Sequence, residues 1–393
     1  LGRWCLTKEK ATSLISDSEN MKLHCIPILS ALFTSLVCFS NPATKISDNS
    51  PSSGIVIRWN DCEQTIDGFG IAQAGWAKEL FAFKNRKQVM DKMFGNDGLR
   101  LNILRGEIFP HYWENKEDKD FNLNDDINIE LCDSDFNNKS DDLLRRGQLW
   151  LTLEAKNKYH INKLVFSTWS APAWMKSNGK VSNGKLKPEC YQDFANYLAA
   201  FYKAYKSKGI TPYAISPSNE PGYAAPWNSS LWTADEMGKF ITSNLGPTFQ
   251  KENIPAKIIF GENPLWSVVM PQLKMVSSKD FTDTILQDYP EIKKFNLIAA
   301  GHGYSLSPDI MPIKVDKEYL KTPIIPFDAA EKAHIPVWIT EISDVTPLDT
   351  SIQDGLKWAV TFHNYLTKAN VNAIIWWGGA MPTSNNESLI ILN

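Results

Sequence analysis

Short apolar runs rich in β-branched residues alternate along most of the chain with longer stretches whose apolar positions recur at helical spacing. The runs fall at 65–70, 99–108, 163–168, 212–216, 256–260, 297–300, 336–340 and 372–377. Between the third and fourth, Tyr191, Phe194, Leu198, Phe201 and Tyr205 recur at spacings of 3, 4, 3 and 4, which predicts an amphipathic helix closed by Gly209. Thr233-Ala-Asp-Glu236 has the form of a capping box and predicts another helix start. Strand then helix, repeated, calls for parallel pairing with crossover helices, an α/β fold. Eight such units favour a closed (β/α)₈ TIM barrel over a doubly wound open sheet.

Two further segments pattern as strands outside the barrel. Residues 55–59 alternate apolar and polar positions, and Ser388-Leu-Ile-Ile-Leu392 reads as the start of another strand left without neighbours. The expected organisation is therefore a linker and strand of a side β domain at 41–64, the barrel at 65–380, and the start of a truncated β region at 381–393. The side domain would be an incomplete β-sandwich. Ahead of these, residues 21–40 hold Met21, Lys22 and an apolar run from Cys25 to Phe39, then small or polar residues. That is a signal-peptide pattern, and the run is shorter than the ~20 residues a bilayer-crossing helix needs. A secreted, extracellular protein without a membrane anchor in its mature form is expected, with residues 1–20 as a spurious upstream extension. Three cysteines, Cys62, Cys132 and Cys190, would remain after processing, enough for at most one disulfide. Asn138, Asn228 and Asn386 each open an N-x-S triplet.

Charge narrows the partners. With 41 Lys and Arg against 44 Asp and Glu, the net charge is −3, which argues against nucleic acid. Fourteen Trp are a heavy load for 393 residues and suit either core packing or flat apolar platforms for a ligand. Gly68-Phe-Gly70 invites a dinucleotide reading, but position 73 is Gln where the fingerprint needs a small residue. No G-x-S-x-G, P-loop or H-E-x-x-H occurs and the six His are scattered, so no serine-hydrolase site, metal site or cofactor is expected.

The fourth run leads into Ser218-Asn-Glu-Pro221 and the seventh into Thr340-Glu341. Both Glu fall at the C-terminal end of a strand, the rim where barrel enzymes carry their chemistry. They lie 121 positions apart, three strand-to-helix units of about 40 residues each, so strands four and seven face each other across the mouth. Two carboxyl groups meeting in one small volume are what glycoside cleavage needs, one protonated and one ionised.

Together with these, Thr65-Ile-Asp-Gly-Phe-Gly70, Thr168-Trp-Ser-Ala-Pro-Ala-Trp-Met-Lys176, His302-Gly-Tyr304 and Trp376-Trp377 give a chain that resembles glycoside hydrolase family 30, retaining β-glycosidases, from about Ile55 to Trp377. The resemblance implies Glu220 as general acid/base and Glu341 as nucleophile on a (β/α)₈ barrel joined to a β-sandwich. It implies that Asn219 donates to the sugar 2-hydroxyl and that Tyr304 donates to Glu341. Arg105 would lower the pKa of Glu341, its rival reading being a surface pair with Glu107. Trp169, Trp174 and Trp377 would offer apolar faces to sugar rings, and His302 joins this substrate-binding set. Trp113, Trp227 and Trp266 are looser candidates, and Glu107 and Glu262 are spare carboxylates ranked below the pair. Relatives that grip a glucuronate branch carry an Arg just after the paired Trp; none occurs here from Trp377 to Asn393, which points away from glucuronoxylan. The implied partner is a β-linked glycan: xylan, β-1,6-glucan or β-1,6-galactan, with a glucosylceramide-type lipid or an inactive glycan-binding fragment as the alternatives. The acidic, Asn-rich segment at 117–142 is long enough to wall the cleft, and equally suits a solvated loop.

Overall fold

The computed structural model describes residues 57–118, 147–267, 275–304 and 324–393. Eight parallel strands close on themselves in chain order: β1 (Gly68–Ala72), β2 (Ile103–Ile108), β3 (Lys163–Thr168), β4 (Ala214–Ser216), β5 (Lys257–Gly261), β6 (Leu297–His302), β7 (Val337–Ile342) and β8 (Ala373–Trp376). β8 returns to β1, with Gly68 opposite Ala373 and Ile71 opposite Trp376, so the barrel keeps no open edge. Around it run α1 (Ala77–Ala82), α2 (Arg86–Phe94), α3 (Gly147–Tyr159), α4 (Tyr191–Ser207), α5 (Ala234–Phe240), α6 (Gly246–Lys251), α7 (Ser278–Asp288), α8 (Asp328–Lys332) and α9 (Ile352–Lys368). The fold is the (β/α)₈ TIM barrel that the alternating pattern predicts. Among the described residues no helix is long and apolar enough to cross a membrane.

Local chemistry explains the better-defined helices. All five stripe positions of α4 are buried, each worth roughly 1.5–3 kcal/mol against exposure. Two of them seat the helix on β3, with the Phe166 ring 5.0 Å from Phe201 and 4.9 Å from Tyr205. The chain leaves the helix through Gly209 at φ +81°, a left-handed turn that costs glycine nothing. At α5 the Thr233 hydroxyl accepts from the Glu236 N–H while the Glu236 carboxylate accepts from the Thr233 N–H.

Strand alternation divides the barrel interior into two layers. Ala72, Ile103, Val165, Ala214, Ile259, Ile298, Ala300, Trp338, Ala373 and Ile375 pack together as a fully buried apolar cluster inside the barrel. Two residues further along the same strands, on the same face, stand Arg105, Ser167, Ser216, His302 and Trp377. β7 breaks this rule. Opposite β6, Gly301 pairs with Ile339 and His302 with Glu341, so Thr340 is an extra residue and the ladder shifts. Such a bulge re-aims the side chain that follows it, and it puts Glu341 rather than Thr340 among the inward groups.

Several expectations change. Residues 57–59 form no strand, and Ile57 and Trp59 are 58% and 72% exposed; a lone strand without ladder partners has nothing to hold it. The segment Ser388–Ile391 (β10) is not without neighbours, because it pairs in parallel with β9 (Gly378–Met381). A side β-sandwich is not seen among the described residues beyond this two-stranded sheet. Cys190 is a buried free thiol and Cys62 is disulfide-bonded. Asn228 is buried, an unsuitable place for a glycan in the folded chain. The signal segment, residues 1–20, Asn138, Cys132 and most of the 117–142 segment also lie outside the described residues.

Candidate active site

At the C-terminal mouth, Arg105 on β2 gathers residues from β3 and β7 and from just beyond the ends of β4 and β5. It is fully buried on β2, not at the surface, and Glu107 is not its partner in these contacts. Its Nη1 donates to Oε2 of Glu341 at 2.8 Å, and Nη2 donates to Oδ1 of Asn219 at 2.7 Å and to Oε1 of Glu262 at 3.2 Å. Nε donates to Oγ of Ser167 at 3.2 Å. A planar guanidinium fork can satisfy several acceptors at fixed angles, which a lysine could not. Because Arg105 takes the Asn219 carbonyl oxygen, the Asn219 amide NH₂ is turned the other way and keeps its donors.

Glu220 and Glu341 meet above this fork. One oxygen of each, with a ring nitrogen of His302, lie within 4.8 Å of one another. Nδ1 of His302 is 3.1 Å from Oε1 of Glu220 and 3.7 Å from Oε1 of Glu341. The Tyr304 hydroxyl donates to Oε1 of Glu341 at 2.8 Å. Glu220 sits at φ +45°, a left-handed conformation that is costly for a residue with a Cβ. Neighbouring peptides hold it there: its N–H donates to the Glu262 carbonyl at 3.0 Å, and the Asn219 N–H donates to the Thr168 carbonyl at 2.7 Å. The loop beyond is tied by Asn263, whose Oδ1 accepts from the Gly222 N–H at 2.6 Å.

Burial dominates the electrostatics. It pushes the Glu220 carboxyl up to about 8, with Arg105 pulling it down and Glu262 pushing it further up. Glu341 is raised too, again by burial first, and against the pull of His302, Arg105 and the Tyr304 hydrogen bond. Arg105 thus acts on Glu341 in the expected direction but is outweighed by desolvation. His302 is lowered by burial and stays neutral at ordinary pH, and Tyr304 is raised well above its usual range and stays a donor. The triad of Glu220, His302 and Glu341 could offer one atom each to a cation. The Arg105 guanidinium already supplies a positive charge to this cluster, and hydrogen bonds engage each of the three side chains.

The tryptophans divide. Trp169 and Trp377 lie 5.7 Å apart, and the Arg105 guanidinium sits 4.8 Å from the first ring and 5.9 Å from the second. Trp377 also meets Trp76 edge-on at 4.4 Å. Trp174 is half-buried on the loop after β3, where its N–H donates to the Trp113 carbonyl and its ring packs on Trp113 at 6.2 Å. Trp227 is 41% exposed beside Tyr223. Trp266 is a core residue, its ring tilted against Phe327 and edge-on to Tyr365, and Glu107 is buried beside Gln148, whose amide pairs with its backbone at both N–H and C=O.

Sequence reasoning missed Ser167 and Ser216, which donate to Glu262, and it missed Trp76. The serines had a signal: each follows an apolar inward residue at i+2. Trp76 follows β1 in a turn that carries no periodic pattern.

A closed barrel with two acidic side chains converging at its C-terminal mouth defines the class of glycosidase-like barrels. The chain belongs to O-glycosyl hydrolase family 30, whose model matches residues 52–391. It is 30% identical over 251 residues to a Caenorhabditis elegans protein named as glucosylceramidase 3, covering 61% of this chain and 45% of that protein. It is 26% identical over 232 residues to the glucuronoxylanase XynC of Bacillus subtilis (strain 168), covering 57% and 47%. The chain thus spans about half the length of these curated relatives. Among solved structures, the catalytic domain of a family 30 xylanase C from Talaromyces cellulolyticus superposes with a TM-score of 0.65 at 22% identity, covering 84% of this chain and 72% of that one. At that identity the likeness speaks for the fold.

Proposed function

We propose that this chain is a retaining β-glycoside hydrolase acting on a β-linked polysaccharide. The observation that carries the reading is the closeness of Glu220 and Glu341, whose nearest oxygens lie within 4.8 Å. Retaining enzymes hold their two carboxyl groups about 5–5.5 Å apart, whereas inverting ones leave ~6.5–9.5 Å for a water.

The assignment of roles follows from the hydrogen bonds. Glu341 accepts from both Arg105 and Tyr304, donors that favour its ionised form, so it is the nucleophile. Glu220 at about 8 carries a proton at neutral pH and is the acid. In the first step a Glu341 oxygen bonds to the anomeric carbon, the glycosidic C–O bond breaks, and the Glu220 proton goes to the leaving oxygen. In the second, Glu220 takes a proton from water as that water's oxygen bonds to the anomeric carbon and frees Glu341. Asn219, its NH₂ oriented by Arg105, donates to the sugar 2-hydroxyl as the ring flattens. Trp169 and Trp377 give the sugar an apolar wall. Secretion, proposed from residues 21–40, is tested by whether the mature protein in the medium begins after that segment.

Xylan, β-1,6-glucan and β-1,6-galactan are the proposed substrates. Proton NMR of the first product formed from each tests both substrate and stereochemistry. A β-anomer appearing before mutarotation supports the reading; an α-anomer overturns it.

A further inference from the structure

Beneath the carboxylate pair lies a third buried acid, Glu262, at the end of β5. Its side chain has no solvent exposure. Oε1 accepts from Arg105, and Oε2 accepts from Ser167 at 3.2 Å and from Ser216. Its backbone is built to place it there. Gly261 has φ +107°, and a Cβ on it would come within 2.1 Å of the Ala300 carbonyl oxygen, so only glycine can make the bend. Glu262 itself follows at φ +45°, the same left-handed conformation as Glu220. The Glu262 N–H donates to the Ala300 carbonyl at 2.8 Å, and its own carbonyl accepts from the Glu220 N–H at 3.0 Å. One residue therefore touches both halves of the carboxylate pair, Glu220 through its peptide and Glu341 through Arg105.

We propose that Glu262 is a positioning residue: its carboxylate fixes the Arg105 fork between Asn219 and Glu341, and its carbonyl fixes the strained peptide of Glu220. The proposal rests on the roles given above to Glu220 and Glu341. It has an electrostatic consequence. The charged and titratable groups around Glu262 are Arg105 on β2, Glu220 after β4, His302 on β6 and Glu341 on β7, with Ser167 on β3 and Ser216 on β4 as neutral donors. Of these only Arg105 is a cation at ordinary pH, since His302 is neutral. By offsetting Arg105 and repelling negative charge, Glu262 favours the protonated form of Glu220. Its removal without loss of shape moves the alkaline limb of the pH profile, set by loss of the Glu220 proton, downward in pH.

The test compares wild type with Glu262→Gln and Glu262→Asp in the full chain, reading kcat, KM and the pH dependence of kcat/KM on the substrate the product assay identifies. Glu262→Gln is expected to lower kcat about 10- to 100-fold with KM changed less than about twofold, and to move the alkaline limb down by about one unit. Glu262→Asp keeps the charge and is expected to leave that limb in place while kcat still falls. Loss of kcat in Glu262→Gln with an unmoved limb, or no change in either, overturns the proposal. Should Glu262→Gln fail to melt cooperatively, Glu262→Asp carries the test alone: kcat must fall with the limb unmoved, and an unchanged kcat or a shifted limb there overturns the proposal. The roles of Glu220 and Glu341 are tested apart from this by azide rescue of Glu341→Gly, which does not involve Glu262.

Discussion

The interior of the barrel is built twice over with opposite chemistry. Its lower layer, from Ala72 round to Ile375, is wholly apolar and sealed by Trp338, whose ring stacks on Tyr213 at 6.0 Å. Its upper layer, two residues further along the strands, holds Arg105, Ser167, Ser216, His302 and, by way of the β7 bulge, Glu341, with Glu262 just beyond β5. The lower layer gains stability simply by excluding water. The upper one buries several ionisable groups, which is costly unless each finds a partner, and it is organised so that most do. Strain gathers there as well: Glu220 and Glu262 both take left-handed backbone, and the Thr340 hydroxyl is left buried without a hydrogen bond. The division assigns stability to one floor and chemistry to the other, and mutations can separate them.

The largest effect is expected from Glu341→Gly, which removes the proposed nucleophile: turnover of an aryl β-glycoside falls on the order of 10⁴-fold or more. Azide should restore it and yield the α-glycosyl azide, identifiable by NMR, since the small anion attacks from the vacated side. Next, Glu220→Gln should cost about 10²- to 10⁴-fold, least for aryl leaving groups that need no proton, and should erase the alkaline limb of the pH profile. On the floor below, Trp338→Ala should lower stability by about 3–5 kcal/mol in denaturant melts, yet leave kcat of the folded fraction within about twofold. If that variant instead kept its stability and lost turnover, the separation of floors would fail. The smallest effect is on pH. With Glu220 at about 8, activity should be half lost near that pH and fall about tenfold per unit beyond it. The sign for stability agrees. Glu220 is raised in the folded state from 4.5, so its contribution is complete below about 4.5 and is lost as pH rises through about 8. Urea midpoints measured across that window check it.

Much of this was legible beforehand, and the reasons are specific. The repeat of strand and helix patterns predicted the barrel because each parallel strand needs a crossover. The α4 stripe was readable because 3.6-residue periodicity survives in any buried helix face. Glu220 and Glu341 stood out through Asn-Glu-Pro and through their strand-end positions. Arg105 was harder. A charged residue inside an apolar run reads as a strand end or a surface pair, and only the converging acceptors Asn219, Glu262 and Glu341 reveal why it is buried. Glu262 looked spare because its partners, Ser167 and Ser216, come from other strands. Trp266 is only a looser sugar-platform candidate in the sequence, because an aromatic side chain in a loop carries no mark of what it packs on, and in the fold it belongs to the core. The bulge at Thr340 could not be seen at all, since it is a property of pairing between β6 and β7 rather than of either sequence.

The most direct test is to trap the covalent intermediate. The chain is incubated with activated 2-deoxy-2-fluoro β-xyloside, β-glucoside and β-galactoside, which slow the second step more than the first, then digested and read by mass spectrometry. One of them should add a single fluorosugar to the peptide containing Glu341, with activity lost in step and with Glu220→Gln and Glu262→Gln labelled at the same position. A fluorosugar on Glu220, or no label while the matching ordinary glycoside is turned over, would contradict it.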